Sequence, residues 1–403
     1  MDYIKRTAYL QQLIDVKHTP DIKIITGIRR SGKSVLTEEF AEYLLKTESD
    51  VNLVVIRLQD LDFEELLEYH ALNSYVLQRY IPGKYNVLII DEVQLCANFE
   101  RVINSIHSKQ IYDIYITGSN AFLLSSDLAT LFTGRTIEIK VFPFSFSEYM
   151  QYFQPTTMLD DCFDDYVKTG GMSGSYVYST EQKRFDYVKS VYDTILLRDL
   201  VQKYGIRNKS ELMQIAEFMM DNISNILSPN SICDTLNRNK SEITRKTIAK
   251  YIEYLKKAFL FYEAKRYDLR GKKYLENSKK YYLCDVSFRY AVNGARNIDF
   301  GRAYENLVYL ELLRRGYEVY VGKLYKKEID FVAQKQSEKI YIQVSDNIAE
   351  EKTFTREYSP LLAINDAYPK IIIARTHHEP YEYQGIRILD LPQWLLGEYT
   401  KWR

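Results

Sequence analysis

Eight residues constrain this chain more than any others: Gly27-Ile28-Arg29-Arg30-Ser31-Gly32-Lys33-Ser34, which fit the spacing G-x-x-x-x-G-K-[ST]. They follow an Ile-rich run, DIKIIT, that reads as a strand, and they open KSVLTEEFAEYLLKT, which reads as a helix. Strand, glycine turn and helix in that order form a phosphate cradle. The glycines let backbone N–H groups close around phosphate oxygens, and the helix N-terminus adds the positive end of its dipole. Lys33 would bridge the β and γ phosphates, and Ser34 would ligate Mg²⁺. ATP and Mg²⁺ are the expected ligands, with Gly27, Arg29, Arg30, Ser31, Gly32, Lys33, Ser34 and Val35 as candidate contacts. Arg29 and Arg30 can turn either to phosphate or to solvent.

The surrounding pattern agrees. LVVIRL, NVLII, IYDIYIT and TIEIKV are Ile/Val-rich and of strand length, and helix-length segments separate them. Strands buried on both faces look like this, so residues 21–140 read as a parallel sheet with helices on its faces. The run Asn86-Val-Leu-Ile-Ile-Asp91-Glu92 ends in two carboxylates. Alone, such a pair often just ends a strand. Beside a phosphate cradle, Asp91 can hold Mg²⁺ and Glu92 can orient or deprotonate a water. Thr117-Gly118-Ser119-Asn120 follows the next strand, at the edge where ligands of parallel sheets bind. Asn120 or Ser119 can contact the γ-phosphate or the water, or can cap the following helix. Arg135 is the candidate arginine finger, supplied from a neighbouring subunit, or is a surface residue beside Gly134.

At 403 residues the chain exceeds one core, and two or three domains are expected. Its 54 basic and 54 acidic side chains cancel, so only local clusters can indicate a polyanion partner. Cys96, Cys162, Cys233 and Cys284 form no metal-ligand spacing, the N-terminus has no secretory apolar core, and no run can span a bilayer. The expectation is a cytoplasmic protein with no membrane partner. After Pro143 the reading is mainly helical, broken by Gly170-Gly171 and Gly174. Residues 210–286 read as three helices and a basic hairpin around Gly271. From Gly301 come a helix, the strands YEVYVG, EIDFVA and KIYIQV, a second helix, IIIA, and a final strand and helix.

The order GIRRSGKS, NVLIIDEVQ, ITGSNAFLLSS, TGRTIEIKVFPFSFSEY, KTGGM and GRAYENLVYLELLRRGYEVYVG, then EIDFVA and YIQVS, resembles the prokaryotic AAA-type ATPases fused to a C-terminal domain of unknown function. The resemblance implies an ATPase domain over 1–155, a helical connector and winged-helix domain over 156–295, and an α/β domain similar to PD-(D/E)XK nucleases over 296–403. It also implies subunit contacts around ATP, hence a homo-oligomer.

Between Arg238 and Lys280 lie fourteen basic and five acidic residues, a local net of +9. Ile248, Ile252, Leu255 and Phe259 make one apolar helix stripe, leaving Arg245, Lys246 and Lys250 on the surface. A helix-turn-helix with a basic wing would place such groups on DNA phosphates, and a solvated face or a protein-binding surface is the alternative. In the tail, Glu305 lies on a helix and Asp330 is the candidate metal ligand of a nuclease-like site. Gln343 stands where a second acid belongs and Ser345 where a lysine belongs, with Lys352 as a distant substitute. Nuclease chemistry is therefore expected to be impaired or absent. The leading expectation is an ATP-hydrolysing switch or motor that engages DNA. An ATP-gated nuclease and a nucleotide-dependent regulator of a protein partner are the alternatives.

Overall fold

A computed structural model describes residues 4–118, 132, 134–238, 243–271, 273–294 and 299–397, with backbone alone for 273–278. The chain divides into two compact units, Met1–Pro143 with Lys257–Phe259, and Phe144–Lys256 with Leu260–Arg403.

The first unit runs α1 (Thr7–Asp15), β1 (Ile22–Thr26), α2 (Lys33–Thr47), β2 (Val51–Arg57), α3 (Tyr69–Gln78), β3 (Tyr85–Asp91), α4 (Phe99–Lys109), β4 (Asp113–Thr117) and β5 (Thr136–Lys140). The five apolar runs are the five strands. Among the described residues they form one parallel sheet in the order β2-β3-β4-β1-β5. Every residue of β1 and β4 is buried, as helices on both faces require. On one face Ile22, Ile24, Ile90 and Ile116 join Phe99, Ile103 and Ile106 of α4 in a single core cluster. The amino-terminal edge is pinned by Lys23, 0% exposed, whose amine donates to Asp113 at 2.5 Å and to the Thr19 carbonyl at 2.6 Å. Asp113 also accepts from the Tyr85 hydroxyl at 2.6 Å and from the His18 amide at 3.0 Å. With its partners all present, this buried charge is satisfied, and the opposite edge is left for a site.

The second unit begins with α5 (Phe146–Phe153), α6 (Leu159–Thr169) and α7 (Glu181–Thr194), the last continuing as a π-helical segment, Ile195–Gln202. Next come α8 (Lys209–Asp221), β6 (Ile226–Leu227), α9 (Pro229–Arg238), α10 (Arg245–Lys257), the hairpin β7 (Phe261–Asp268) and β8 (Lys273–Leu283), and α11 (Ser287–Asn293). The remainder is α12 (Phe300–Arg314), β9 (Glu318–Leu324), β10 (Lys327–Lys335), β11 (Glu338–Ser345), α13 (Glu351–Leu362), β12 (Lys370–Ala374), β13 (Tyr381–Tyr383), β14 (Ile386–Asp390) and α14 (Leu391–Leu395). Among the described residues the nine strands of this unit join one mixed sheet, β13-β14-β12-β11-β10-β9-β7-β8-β6. The basic hairpin is therefore continuous with the tail strands, because β7 pairs in parallel with β9 through Tyr267 and Gly322. Tyr309 of α12 stacks on Tyr282 at 3.9 Å, while Leu361 of α13 joins Tyr341 and Ile372, so the two helices cover opposite faces.

One local reading changes in the fold. The apolar stripe of α10 is Ile248, Tyr251, Ile252 and Leu255. Phe259 does not extend it, because the helix has ended and Phe259 sits at φ 57°. The Gly170-Gly171 break is a tight latch: the Gly171 amide donates to Asp285 at 2.5 Å, and its carbonyl accepts from the Phe144 amide at 2.8 Å. A Cβ on Gly171 would lie 2.1 Å from the Phe144 carbonyl oxygen, and one on Gly170 (φ +64°) 1.9 Å from Asp285.

Candidate functional site

The carboxyl edge of the first sheet gathers the residues singled out in the sequence. Gly27 ends β1 at φ +145°, where a Cβ would meet the Val141 carbonyl oxygen at 2.1 Å, so the close approach needs glycine. Gly32 caps α2 in the left-handed region at φ +91°. The Lys33 amine donates to the carbonyls of Gly27 and Ile28 at 3.1 and 3.0 Å, folding back over its own loop. Buried Ser31 keeps its hydroxyl without a hydrogen-bond partner. A cradle that a Cβ would fill, a helix N-terminus and an unsatisfied hydroxyl in the loop fit a phosphate group. Val35 is half-buried in the first turn of α2, Arg29 is half-buried, and Arg30 is exposed.

Ser34 donates to Asp91 Oδ2 at 2.8 Å, which joins the loop to the end of β3. Thr117, at the end of β4, donates to Asp91 Oδ1, and its hydroxyl accepts from the Glu92 amide at 3.0 Å. Thr117 thus fixes both carboxylate residues at once. Glu92 sits at φ 53°, which turns it off the strand line, and its carboxylate accepts from the Gln94 amide group. Ser34 and Asp91 supply adjacent hard oxygens, the donor set that a Mg²⁺ ion takes. Ser119 and Asn120 lie outside the described residues.

Arg135 is not brought to this edge. Its carbonyl accepts from the Ile22 amide at 3.0 Å, at the start of β1, while the loop follows the end of β1. Four strand steps of roughly 3.3 Å separate the two ends, so within one chain Arg135 stands exposed at the opposite edge of the sheet. A residue that no spacing rule marks does reach the loop. Arg6, 4% exposed, donates to the Ser31 carbonyl at 2.9 Å, and its guanidinium lies 4.4 Å from the centre of the Tyr9 ring. Nearby Glu39 accepts from the Arg6 amide at 3.4 Å, and burial holds its carboxyl above the usual range.

In the second unit Asp330 lines a cavity of about 480 Å³ with Glu305, Glu328, Gln343 and Glu357. Arg302, Lys327 and Arg356 also line it, and behind its carboxylates lies Lys280 of β8. Its amine lies 2.9 Å from Glu305, 2.8 Å from Glu328 and 3.7 Å from Asp330. Gln343 accepts from the Asp330 amide at 2.7 Å and donates to Glu357 at 3.0 Å. Lys352 is exposed on the first turn of α13. Among the described residues no group of three or more acidic, His or Cys side chains is arranged to hold a metal. The metal-ligand reading of Asp330 thus meets a lysine already in place.

The basic segment is partly neutralised. Lys256 pairs with Glu253 at 2.7 Å and with Glu263 at 2.6 Å, and Lys279 pairs with Glu263 at 2.7 Å. Arg238, Arg245, Lys246, Lys250, Lys265 and Arg270 remain exposed. Lys240 and Lys272 lie outside the described residues. Among those residues no helix is long and apolar enough to cross a membrane.

An AAA domain matches residues 19–150, a domain of unknown function (DUF8612) residues 160–299, and a second one (DUF4143) residues 300–394. An uncharacterized protein of Haemophilus influenzae is 36% identical over 398 residues, 98% of each chain. One from Methanocaldococcus jannaschii is 26% identical over 360 residues, 82% of this chain and 76% of its own. The solved structure of AMPPCP-bound DnaA from Aquifex aeolicus aligns over 62% of this chain and 87% of its own, at 14% identity and a TM-score of 0.32, too distant to carry weight. With its glycine loop at the carboxyl edge of a parallel sheet and a full-length relative at 36% identity, the chain belongs to the family of the Haemophilus protein, AAA-type ATPases that continue into domains of unknown function.

Proposed function

We propose that this ATPase binds ATP with Mg²⁺ at the Gly27–Ser34 loop and couples hydrolysis to DNA engagement by its C-terminal half. The observation that carries the proposal is the junction of Ser34, Asp91 and Thr117, three hydrogen-bonded side chains supplied by the loop and two strand ends. In this reading the backbone amides after Gly27, with Lys33, hold the β and γ phosphates. Bound Mg²⁺ supplies charge neutralisation, and Ser34 and Asp91 would hold it. Glu92 orients the attacking water and takes its proton. Arg135 would serve such a site only from a second copy of the chain.

The DNA half of the proposal rests on order and charge. Helix α8, strand β6, helices α9 and α10 and the β7–β8 hairpin follow the order of a winged helix, with β6 paired to β8. Arg245, Lys246 and Lys250 stand exposed on α10, the helix that would meet the groove. The domain from α12 onward, with its three-stranded antiparallel run followed by parallel β12 and β14, supports a nuclease-like fold without cleavage chemistry. Phosphate release measured with and without duplex and single-stranded DNA tests the coupling. Lys33→Ala should abolish ATP binding, and Glu92→Gln should retain binding while slowing turnover roughly 10²-fold or more. Wild-type turnover by Glu92→Gln would remove the catalytic assignment, and indifference to both DNAs would remove the coupling.

A further inference from the structure

The carboxylates around Asp330 enclose an ammonium, and with it in place no acidic group among the described residues is arranged to hold a metal. Lys280 is 3% exposed and reaches three carboxylates from β8, that of Glu305 on α12 and those of Glu328 and Asp330 on β10. The oxygens are also engaged elsewhere. Glu305 Oε1 accepts from the Tyr282 hydroxyl at 2.7 Å as well as from Lys280, and Asp330 Oδ2 accepts from the Val344 amide at 2.9 Å. The Gln343 carbonyl oxygen is taken by the Asp330 amide. Mg²⁺ needs near-octahedral oxygens at about 2.0–2.1 Å, and Mn²⁺ favours the same kind of donor. An ammonium 2.8 and 2.9 Å from two of the carboxylates occupies the space between the oxygens that such an ion would need.

We propose that Lys280 is a tethered counter-ion that keeps divalent metal out of the Glu305–Glu328–Asp330 cavity. Because the amine is covalently attached, it cannot be diluted away, and a divalent ion would have to displace it against like-charge repulsion. The cavity is then latent: removing the amine frees three carboxylates for a metal. This inference is independent of both the ATP and the DNA readings.

Mn²⁺ bound to the nucleotide-free full-length chain, counted by electron paramagnetic resonance of the free ion, tests it. Any ion at the glycine loop is common to every variant, so differences report the cavity. Wild type and Asp330→Asn should bind the same amount of Mn²⁺, and a lower amount in Asp330→Asn overturns the proposal. Lys280→Met should gain about one ion per chain, a gain that adding Asp330→Asn removes. A folded Lys280→Met that gains none also overturns it. Should that variant fail to fold, the comparison of wild type with Asp330→Asn still decides.

Discussion

Replacing Thr117 by Val removes one oxygen and keeps the side chain's volume and β-branching, so β4 is undisturbed as a strand. Thr117 is 0% exposed, and its hydroxyl has two partners, Asp91 as acceptor and the Glu92 amide as donor. Loss of a hydrogen bond to a charged group costs about 1.5–3 kcal/mol, and the stranded, buried Glu92 amide about 1–3 kcal/mol more. Burial of the added methyl returns about 1 kcal/mol. A net destabilisation of about 1.5–5 kcal/mol follows. The kinetic effect should be larger than the stability effect suggests, because Asp91 and Glu92 both lose their anchor while the glycine loop stays intact. A displacement of reacting groups on the order of 1 Å costs about 10²-fold in rate. Steady-state phosphate release should therefore show kcat reduced about 10²-fold with KM for ATP little changed, and a urea melt followed by intrinsic fluorescence should show the loss of stability. Thr117→Ser keeps the hydroxyl and should recover most of kcat. A Thr117→Val protein with wild-type kcat and wild-type stability would refute the assignment of Thr117 as the residue that positions both carboxylates.

Other outcomes follow from the second unit. DNA affinity should fall steeply with salt, and Arg245→Ala with Lys246→Ala should lower the logarithmic salt slope by about two; a flat response would exclude phosphate contacts. Gly171→Ala forces a Cβ to within 2.1 Å of the Phe144 carbonyl oxygen and should cost about 3 kcal/mol or more, read as a lowered denaturation midpoint; an unchanged midpoint would show that the latch can relax. Burial, with the Glu305 charge beside it, pushes the Asp330 carboxyl up to about 8. The folded chain then keeps a proton that the unfolded chain releases near pH 4, so this contribution to stability is complete in acid and fades as pH rises through 8. Asp330→Asn should flatten that part of the pH–stability curve, and an identical profile would show that Asp330 is ionised throughout.

The nucleotide half was legible because its information is local. The glycine loop is a run of consecutive residues, and each strand of the first sheet is a short Ile/Val run whose burial on both faces leaves little ambiguity. Asp91 and Glu92 were readable as the end of such a run. Arg6 was not, since it reaches Ser31 from the residue before α1 and no spacing rule ties the two. Thr117 fell within the polar strand end that was noticed, yet its role depends on Asp91 in the neighbouring strand, 26 positions away. The net +9 of the basic segment already counts Glu253 and Glu263, the partners of Lys256 and Lys279, but not Glu305, which the fold brings to Lys280 from outside the segment. Lys280 was invisible as the cation of the acidic cavity because Glu305 lies 25 positions beyond it.

The parallel pairing of β7 with β9 bears on how the protein can be taken apart. Cutting the chain near residue 296 would strip β9 of its neighbour and expose a row of unsatisfied main-chain amides and carbonyls beside the apolar Val319 and Val321. A naked ladder of that kind recruits other chains. The tail expressed alone would also lack the lysine that neutralises its acidic cavity, so the smallest faithful fragment for biochemical work must start upstream of β6.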